Sequence, residues 1–546
     1  MKTLKTVDEK KYDLVIENGT VVFGSLKEKE LLNIGIMGDK IEAISKDKLI
    51  GKKIIDARNL YVTPGFIDIH SHSDISGFIY ESCPSKVYQG VTSEINGNCG
   101  IGIFPWSDEN RENLKKYIQT HSDINYYPLD LSKTKSFLDL KKFLEKGKLV
   151  TNQGFLVGAG CIRIAIMGFK SSEANESEIE KMKRLLEKQF EEGALGISFG
   201  LIYQPGNFMS QREILELLKV VKKYDRVASF HMRDEVNEIE KSIEEVIYYG
   251  RETRAKVNVS HLKVMNKKNW GKSRKIIEML EKASKSGVSI SFDQYPYEAT
   301  CTNLFVLIPQ NIFDGDIETF IKEIPNFSDK VMSLIREKIE KRGGSNNILV
   351  SNSYLKDTYF NGKTISEISK HLNLSEEKTV LYILEKSKGK AQAIYFSMDL
   401  KDVKEFFKSD LGVIASDGNS LPMEDKFRLG NPHPRNFGTF PKYIWMIKDE
   451  VSIEKIINRI TERPAKLFRL EGRGEIKNGN FADITIFDLD KIKDSSTFEN
   501  SFQFPVGIEY VIINGKIVLK DKKICSENFG YILEKKSLSL ILKEIR

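Results

Sequence analysis

Two histidines, His70 and His72, stand one residue apart at the end of an apolar run, in the stretch GFIDIHSHSD at residues 65–74. If FIDIH is a buried strand, its side chains alternate between two faces, so both imidazoles point the same way. Two imidazoles on one face suit a metal ion. A strand end with two solvated histidines would explain the same pair, so the choice between these interpretations depends on the rest of the chain.

Further residues of metal-binding type follow other short apolar runs. Cys99 follows the second run, His231 ends the fifth, His261 the sixth, Asp293 the seventh and Asp417 the eighth. Cysteine thiolate and neutral imidazole bind zinc well, and a catalytic zinc ion usually keeps three protein ligands and one open position. A metal would also hold the cysteine as thiolate. Four of the seven histidines lie at predicted strand ends, which favours a metal site over a chance arrangement.

Eight short apolar runs alternate with charged amphipathic helices in the middle of the chain. The runs are GFIDIH, VTSEING, GFLVGAG, ALGISFG, VASFHMR, KVNVSHL, VSISFDQYPY and GVIASDG. Eight near-continuous apolar strands separated by helices are typical of a parallel TIM-like (β/α)8 barrel, whose active site lies at the carboxyl ends of the strands. The interval between the seventh and eighth runs is too long for one helix, which predicts an insertion at about residues 303–355 near the mouth.

The two ends of the chain resemble each other. YDLVIENGTVVFG and IEYVIINGKIVLK each read as a strand, an Asn-Gly turn and a strand, while NIGIMGDKIEAIS adds a hairpin and ADITIFDLD a further strand. We therefore expect residues 1–62 and 467–546 to form one small β-sandwich domain, and residues 63–466 to form the barrel. The predicted fold class is α/β, a barrel with a small β-domain built from both chain termini.

Composition excludes several functional classes. The net charge is +7, but the 84 basic residues are interspersed with 77 acidic ones, which argues against a nucleic-acid partner. The N-terminus lacks the apolar core of a signal peptide, and no segment is long and apolar enough to span a membrane. The five cysteines are scattered and odd in number, which favours the reducing cytoplasm. We expect a cytoplasmic protein that acts on a small molecule; its oligomeric state stays open.

The motifs resemble those of a known family. TPGFIDIHSHSD is similar to the first-strand signature of the amidohydrolase superfamily, metal-dependent hydrolases on a (β/α)8 barrel with a flanking β-domain. GVTSEINGNCGIGIFP, GALGISFGLIYQPG, SFHMRDE, VSHLKVM, DQYPYEA, ASDG and HPRNFGTFP are similar to motifs of the N-acyl-D-amino-acid deacylases, or D-aminoacylases. The resemblance runs through almost the whole chain. It implies hydrolysis of the amide bond of N-acyl-D-amino acids to a carboxylate and a free D-amino acid.

The same resemblance implies a set of metal ligands. Cys99, His231 and His261 would hold one tightly bound Zn²⁺ ion. His70 and His72, with Cys99 as a bridge, would form a weaker second position. Superfamily members with two tightly bound metals often carry a carboxylated lysine on the fourth strand. ALGISFG contains no lysine, which favours one firmly held metal.

It also implies the groups that act on the substrate. Asp417 would be the general acid and base. Lys263, Tyr203, Tyr297 and Arg435 would hold the substrate, chiefly its carboxylate. Arginine offers a planar fork to a carboxylate, and a nearby lysine and tyrosine add charge and a donor.

The sequence departs from the family at two places. Ala159 stands where the family has a histidine between two glycines. The loop from Asp417 to Arg435 is longer than is usual in the family. A cyclic-amide hydrolase of the hydantoinase or dihydroorotase type is the nearest alternative, and GNCG and HPRNFGTFP count against it. A metal-free barrel that serves as an assembly module is the other; the presence of all five metal positions counts against that.

Overall fold

The computed structural model describes residues 11–76, 83–121, 130–147, 149–309, 317–356, 358–424, 428, 430–525 and 529–535. Among these residues no helix combines the length and apolar character needed to cross a bilayer. The N-terminal strands are β1 (Lys11–Val21), β2 (Glu30–Met37), β3 (Lys40–Ser45), β4 (Ile50–Asp56) and β5 (Tyr61–Pro64).

Strand β1 carries a bulge where the sequence predicts a hairpin turn. Asn18 and Gly19 lie inside β1, and the register against β2 shifts between Ile16 and Gly19. Asn18 has a φ of 59°, a left-handed conformation that asparagine adopts more readily than most residues. The bulge falls where β1 exchanges β4 for β5 as its parallel neighbour. The prediction of a turn at this Asn-Gly pair is therefore wrong.

Seven parallel strands follow and form most of the barrel. They are β6 (Phe66–Asp68), β7 (Val91–Asn96), β8 (Asn152–Gly158), β9 (Gly196–Gly200), β10 (Val227–His231), β11 (Lys256–Val259) and β12 (Ile290–Gln294). Each pairs with the next in chain order. The helices in this part are α1 (Arg111–His121), α2 (Phe137–Leu144), α3 (Ala159–Met167), α4 (Glu176–Glu192), α5 (Gln211–Lys223), α6 (Ile239–Thr253) and α7 (Ser273–Lys285).

Helix α4 shows how the local sequence builds this outer layer. Asn175 caps the helix by accepting from the Glu178 backbone N–H, and the Glu178 side chain accepts in return from the Asn175 backbone N–H, which satisfies two otherwise unpaired donors. Four apolar residues at helical spacing are buried: Ile179, Met182, Leu186 and Phe190. Gly193, with a φ of 119°, ends the helix in a conformation that favours glycine.

An inserted unit separates β12 from the last barrel strand. Its strands are β13 (Ala299–Asn303), β14 (Ile348–Asn352), β15 (Lys363–Thr364) and β16 (Gln392–Phe396), which form a separate sheet in the order β13-β16-β14-β15. Its helices are α8 (Ile317–Glu323), α9 (Asp329–Lys341), α10 (Ile365–Leu372) and α11 (Glu376–Lys386). The unit has an apolar core of its own. It runs well beyond the range of about 303–355 that the sequence predicts, because β15, β16 and two helices follow that range.

The barrel closes through its eighth strand. Helix α12 (Leu400–Phe406) precedes β17 (Gly412–Ile414), which pairs with β12. On the other side, the Asp417 N–H donates to the His70 carbonyl at 2.8 Å, and the His72 N–H donates to the Gly418 carbonyl at 2.9 Å. Helices α13 (Arg435–Ile447), α14 (Ile453–Asn458) and α15 (Glu462–Phe468) follow. The predicted (β/α)8 fold class is confirmed.

The C-terminal strands complete the small β-domain. They are β18 (Ile484–Phe487), β19 (Ile508–Ile513), β20 (Lys516–Lys520), β21 (Lys523–Ile524) and β22 (Ile532–Leu533). The sheet runs in the order β21-β20-β19-β18-β5-β1-β2-β3, with β4 on β1, so both chain ends contribute to it as predicted. Asn514 and Gly515 join β19 to β20 with positive φ angles, as a tight hairpin requires. Strand β22 instead pairs with β8 of the barrel. The domain boundaries at residues 62 and 467 stay a prediction.

Candidate active site

Five side chains from separate strands meet at the carboxyl end of the barrel. His70 follows β6, Cys99 follows β7, His231 is the last residue of β10, His261 follows β11 and Asp417 follows β17. All five are buried. Three of them have a positive φ, 56° at Cys99, 37° at His261 and 53° at Asp417. Such backbone is uncommon for residues with a side chain and concentrates at functional sites.

The ligand atoms lie close together. Cys99 Sγ is 3.3 Å from Nε2 of His70 and 3.3 Å from Nε2 of His261. His261 Nε2 is also 2.8 Å from Nδ1 of His231. Among the described residues, two groups have donor atoms within 4.8 Å of one another: His70, Cys99, His261 and Asp417, and His231, Glu235 and His261. The structure thus brings the predicted ligands into one cluster, with His72 at its edge.

This donor set fits a zinc ion. Tetrahedral zinc with bonds of about 2.3 Å to sulfur and about 2.0–2.1 Å to nitrogen separates its S and N ligands by about 3.5 Å, close to the two distances at Cys99. Nε2 of His231 is buried and has no hydrogen-bond partner among the residues that the structure describes. Burial alone would raise the pKa of the Cys99 thiol, but the imidazoles of His261 and His70 hold that pKa well below its ordinary value. A thiolate is the form that binds metal.

Buried carboxylates lie behind the ligands. Asp293 Oδ1 is 3.0 Å from Nδ1 of His70 and accepts the His261 backbone N–H at 2.8 Å. Glu235 Oε1 is 3.1 Å from Nδ1 of His261 and accepts from Lys263 Nζ at 2.7 Å. Carboxylates in this position fix the orientation of metal-binding imidazoles and raise their basicity.

Asp417 has contacts on both oxygens. Its Oδ1 is 3.1 Å from Nε2 of His72 and 3.3 Å from Nε2 of His70. Its Oδ2 accepts a hydrogen bond from Nη1 of Arg435 at 2.6 Å. Burial raises the pKa of this carboxyl group, but Arg435 and His261 hold it well below its ordinary value. The group is therefore an ionised carboxylate at neutral pH, as a base must be.

The anionic side chains of the cluster raise the pKa values of the two neighbouring histidines, His70 and His72. Burial lowers the pKa of His72, but its hydrogen bond to Asp417 and the Cys99 thiolate raise the pKa to about 9. The pKa of His70 is likewise raised, by Asp293 and Cys99 against the effect of burial. Several buried anions at one point are costly unless cations pair with them. A divalent cation supplies that compensation more compactly than protons on imidazoles.

A cavity of ≈ 70 Å³ adjoins the cluster. Lys263, Tyr203 and Arg435, to which the resemblance assigns the binding of substrate, line it. Tyr297 does not line it. Its hydroxyl donates to Asp494 Oδ2 at 2.7 Å, in the C-terminal part of the chain. The role of Tyr297 in holding substrate stays a prediction, and its carboxylate partner lies in a distant part of the chain that no local pattern reveals.

Further residues outside the predicted set also line the cavity, among them Tyr295, Glu235, His121 and Arg342. Tyr295, two positions before Tyr297, has a buried hydroxyl without a hydrogen-bond partner in the described part of the chain. Glu235 follows His231 by four residues and is the last residue of the SFHMRDE motif, so this motif could have pointed to it. Tyr295 is part of the DQYPYEA motif, which could have pointed to it in the same way. His121 and Arg342 carry no sequence signal, because one lies at the end of α1 and the other in the inserted unit.

Comparison with known proteins agrees with this arrangement. A model of the amidohydrolase family matches residues 61–518. The chain is 29% identical over 539 residues to a D-aminoacylase from Alcaligenes xylosoxydans xylosoxydans, covering 96% of this chain and 98% of the relative. It is similar to the structure of an N-acyl-D-glutamate deacylase from Bordetella bronchiseptica, complexed with zinc and a phosphonate that mimics the tetrahedral intermediate, with a TM-score of 0.79, 26% identity and coverage of 96% and 100%.

A D-aminoacylase structure is similar to the same degree, with a TM-score of 0.79, 28% identity and coverage of 96% of this chain and 100% of the other. That D-aminoacylase has a binuclear metal centre, in which one metal activates and the second attenuates. Both likenesses extend over the β-domain, the barrel and the inserted unit.

Proposed function

The chain belongs to the amidohydrolase family, and from this premise we propose that it is a zinc-dependent hydrolase that cleaves N-acyl-D-amino acids to a carboxylate and a free D-amino acid. One observation carries the proposal: a buried thiolate and imidazoles from separate strands surround an ionised carboxylate, Asp417, beside a cavity that basic side chains line. The near full-length similarity to D-aminoacylase and to N-acyl-D-glutamate deacylase supports the substrate class.

Cys99, His231 and His261 would hold the tightly bound zinc ion. His70 and His72, with Cys99 shared, would form a weaker second position. When bound, zinc lowers the pKa of water and polarises an amide carbonyl. The binuclear centre described for a D-aminoacylase supports the two-position assignment.

Asp417 moves the proton. Its carboxylate accepts a proton from the attacking water, and the protonated form then donates that proton to the leaving nitrogen of the amide. Arg435 holds Oδ2 by a hydrogen bond of 2.6 Å, so the other oxygen, Oδ1, is directed at the imidazole cluster, where attack takes place. Proton transfer of this kind contributes about 10²–10⁴-fold to a reaction rate.

Lys263, Arg435, Tyr203 and Tyr295 would hold the α-carboxylate and the amide of the substrate. All four line the cavity, which supports this assignment, whereas Tyr297, the other tyrosine of DQYPYEA, does not line it. The Lys263 ammonium is already fixed by Glu235, and a preorganised cation binds a carboxylate with less loss of freedom. A carboxylate bound at one fixed point allows the site to distinguish D from L configuration at the adjacent carbon.

The decisive experiment assays the zinc-loaded protein on N-acetyl-D- and N-acetyl-L-amino acids with the same side chains. We expect turnover of the D series, with zinc at near-stoichiometric content by elemental analysis. Equal rates on the two series would remove the D-specific assignment, and no hydrolysis of either would remove the function. We also propose a cytoplasmic location, which the scattered positions and odd number of the five cysteines in the sequence support.

A further inference from the structure

A second and much larger cavity opens beside the catalytic one. Its volume is ≈ 600 Å³, against ≈ 70 Å³ for the cavity at the metal ligands. The two share the residues His121, Ile202, Tyr203, Val306 and Arg342 in their walls. We call the larger cavity the outer chamber and these five residues its neck. The chamber therefore adjoins the cavity in which the amide of the substrate would bind, with these five side chains between the two.

The charged side chains that line the outer chamber are all basic. Its described walls contain six basic side chains and no acidic one: Lys116, Lys322, Lys338, Arg342, Lys388 and Lys390. The remaining wall is mainly apolar and aromatic, with Phe169 and Phe305 among its residues. Burial, together with the nearby charge of Arg342, lowers the pKa of Lys338. A cavity of one sign raises the local concentration of ligands of the opposite sign.

Arg342 stands at the neck and is only 9% exposed. It follows directly after α9, and its guanidinium carbon lies 4.8 Å from the centre of the Tyr395 ring. No carboxylate of the described residues lies within ion-pair distance of it, in contrast to Arg435 with its partner Asp417. A buried charge without a counter-charge is unfavourable, so an anionic ligand at the neck would stabilise it.

The α-carboxylate of the substrate does not account for Arg342. The proposed function already assigns that group to Lys263 and Arg435 beside the metal ligands. The volume of the outer chamber also indicates a larger ligand part, because pockets of about 300–1,000 Å³ hold ligands much larger than an acetyl group. An additional anionic part of the substrate would use both the space and the charge.

We propose that the outer chamber binds an extended part of the substrate that carries a second carboxylate, and that Arg342 is the specificity-determining residue that pairs with it. The inference rests on the proposed function and specifies its substrate class. The second carboxylate could belong to the amino-acid side chain or to the acyl group. Arginine suits either source, because its planar fork makes two parallel hydrogen bonds to a carboxylate.

The test measures kcat/KM of the zinc-loaded enzyme on three substrates. N-acetyl-D-leucine has only its α-carboxylate, N-acetyl-D-glutamate adds a carboxylate on the side chain, and N-succinyl-D-leucine adds one on the acyl group. We expect one of the two dianionic substrates to exceed N-acetyl-D-leucine by about 10- to 100-fold, the range that a charged hydrogen bond provides. The better one identifies the source of the charge. If neither exceeds N-acetyl-D-leucine, the proposal is overturned.

Variants test whether Arg342 is the source of the preference for a dianionic substrate. Arg342→Met should reduce the preference for the dianionic substrate about tenfold or more, and Arg342→Lys should retain part of it, since it keeps the charge without the fork. The matched control is Arg336→Met on helix α9, whose side chain is 59% exposed and pairs with Glu377. This control should keep the full preference. A preference that survives Arg342→Met would overturn the role of Arg342.

A binding measurement separates this inference from the proposed function. Calorimetry compares succinate with acetate and D-glutamate with D-leucine, none of which requires turnover. Tighter binding of one dicarboxylate that Arg342→Met abolishes supports the anion site, even if no N-acyl-D-amino acid is hydrolysed. Equal binding of the mono- and dicarboxylates in the native protein overturns it, even if hydrolysis of the D series is found.

Discussion

The two oxygens of Asp417 have different neighbours, and the difference explains its proposed role. One oxygen lies beside the imidazoles of His70 and His72, and the other is fixed by the guanidinium of Arg435. The arginine keeps the carboxylate ionised although it is buried. Its hydrogen bond to Oδ2 also leaves Oδ1 as the oxygen that faces the imidazoles. A base that is both charged and fixed needs no reorganisation before it accepts a proton.

Asp417→Asn should therefore abolish most activity while the metal stays bound. We expect kcat to fall by about 10²–10⁴-fold, because the amide cannot accept the proton of the attacking water. Zinc content, measured by elemental analysis, should remain near-native, since Cys99, His231 and His261 are unchanged. Asp449→Asn, at an exposed position after α13, is the matched control and should be fully active. Near-native activity of Asp417→Asn would disprove the acid–base role.

The tyrosines of DQYPYEA give a paired prediction. Tyr295→Phe removes a buried hydroxyl that faces the cavity without a protein partner, and kcat/KM should fall about 10-fold or more if this hydroxyl donates to the substrate carboxylate. Tyr297→Phe removes the hydrogen bond to Asp494 and should leave kcat/KM near native, with a lower urea midpoint of unfolding. The reverse pattern would restore Tyr297 as the residue that contacts substrate.

Between elements, the closure of the barrel depends on a buried polar network. Strands β6 and β17 are joined by few backbone hydrogen bonds, and the Lys86 ammonium lies between them. Its Nζ donates to Asp68 Oδ2 at 2.5 Å and to the Gly418 carbonyl at 3.2 Å, and it also contacts Ser416 Oγ. Lys86 and Asp68 are fully buried. The network holds together the two strands that carry His70 and Asp417.

Lys86→Met should destabilise the barrel strongly. Removing one partner of a buried ion pair leaves an uncompensated charge, here on Asp68, and typically costs about 3–5 kcal/mol of unfolding free energy. Urea denaturation followed by circular dichroism measures the loss. Lys27→Met removes a surface pair with Glu30 and should leave the urea midpoint close to native. A midpoint of Lys86→Met equal to that of the Lys27→Met control would contradict the role of the network.

Elements with a clear local pattern could be predicted from sequence, and those set by distant partners could not. The eight barrel runs are apolar and separated by helices, so their order and the side chains after them, such as Cys99 and His261, follow directly. Asn18 and Gly19 have the local chemistry of a turn, but β4 and β5 together keep β1 extended through them. The inserted unit packs its own core, so Arg342 could reach the cavity only through tertiary contacts that no periodicity encodes.

Across the whole molecule, His433 joins parts of the chain that are far apart. Its Nε2–H donates to the Ala299 carbonyl at 3.0 Å at the start of the inserted unit, and its Nδ1 accepts the Arg435 N–H at 3.0 Å. Its ring also packs against Phe498. The neutral imidazole thus makes a hydrogen bond at each of its two ring nitrogens. Burial, then the charge of Arg435, hold the pKa of His433 well below its ordinary value.

This imidazole should make stability fall in mild acid. Above pH about 6.5 neither the folded nor the unfolded chain protonates His433; below it, the unfolded chain binds a proton that the folded chain does not. Its contribution to unfolding free energy therefore falls by up to about 1.4 kcal/mol per pH unit below that value. Melting temperatures at pH 7.5 and 5.5 should differ less for His433→Gln than for the native protein. Equal differences would contradict the assignment.

The sheet shared by both chain ends has a consequence for biosynthesis. Strand β5 pairs with β18 through residues about 420 positions later, Pro64 with Ile484. At translation rates of about 5–20 residues per second, the edge of β5 waits about 20–80 s for its neighbour to leave the ribosome. An unpaired edge is a template for wrong association. The nascent chain thus needs protection of this edge, by a chaperone or by temporary contacts, until its last tenth has been made.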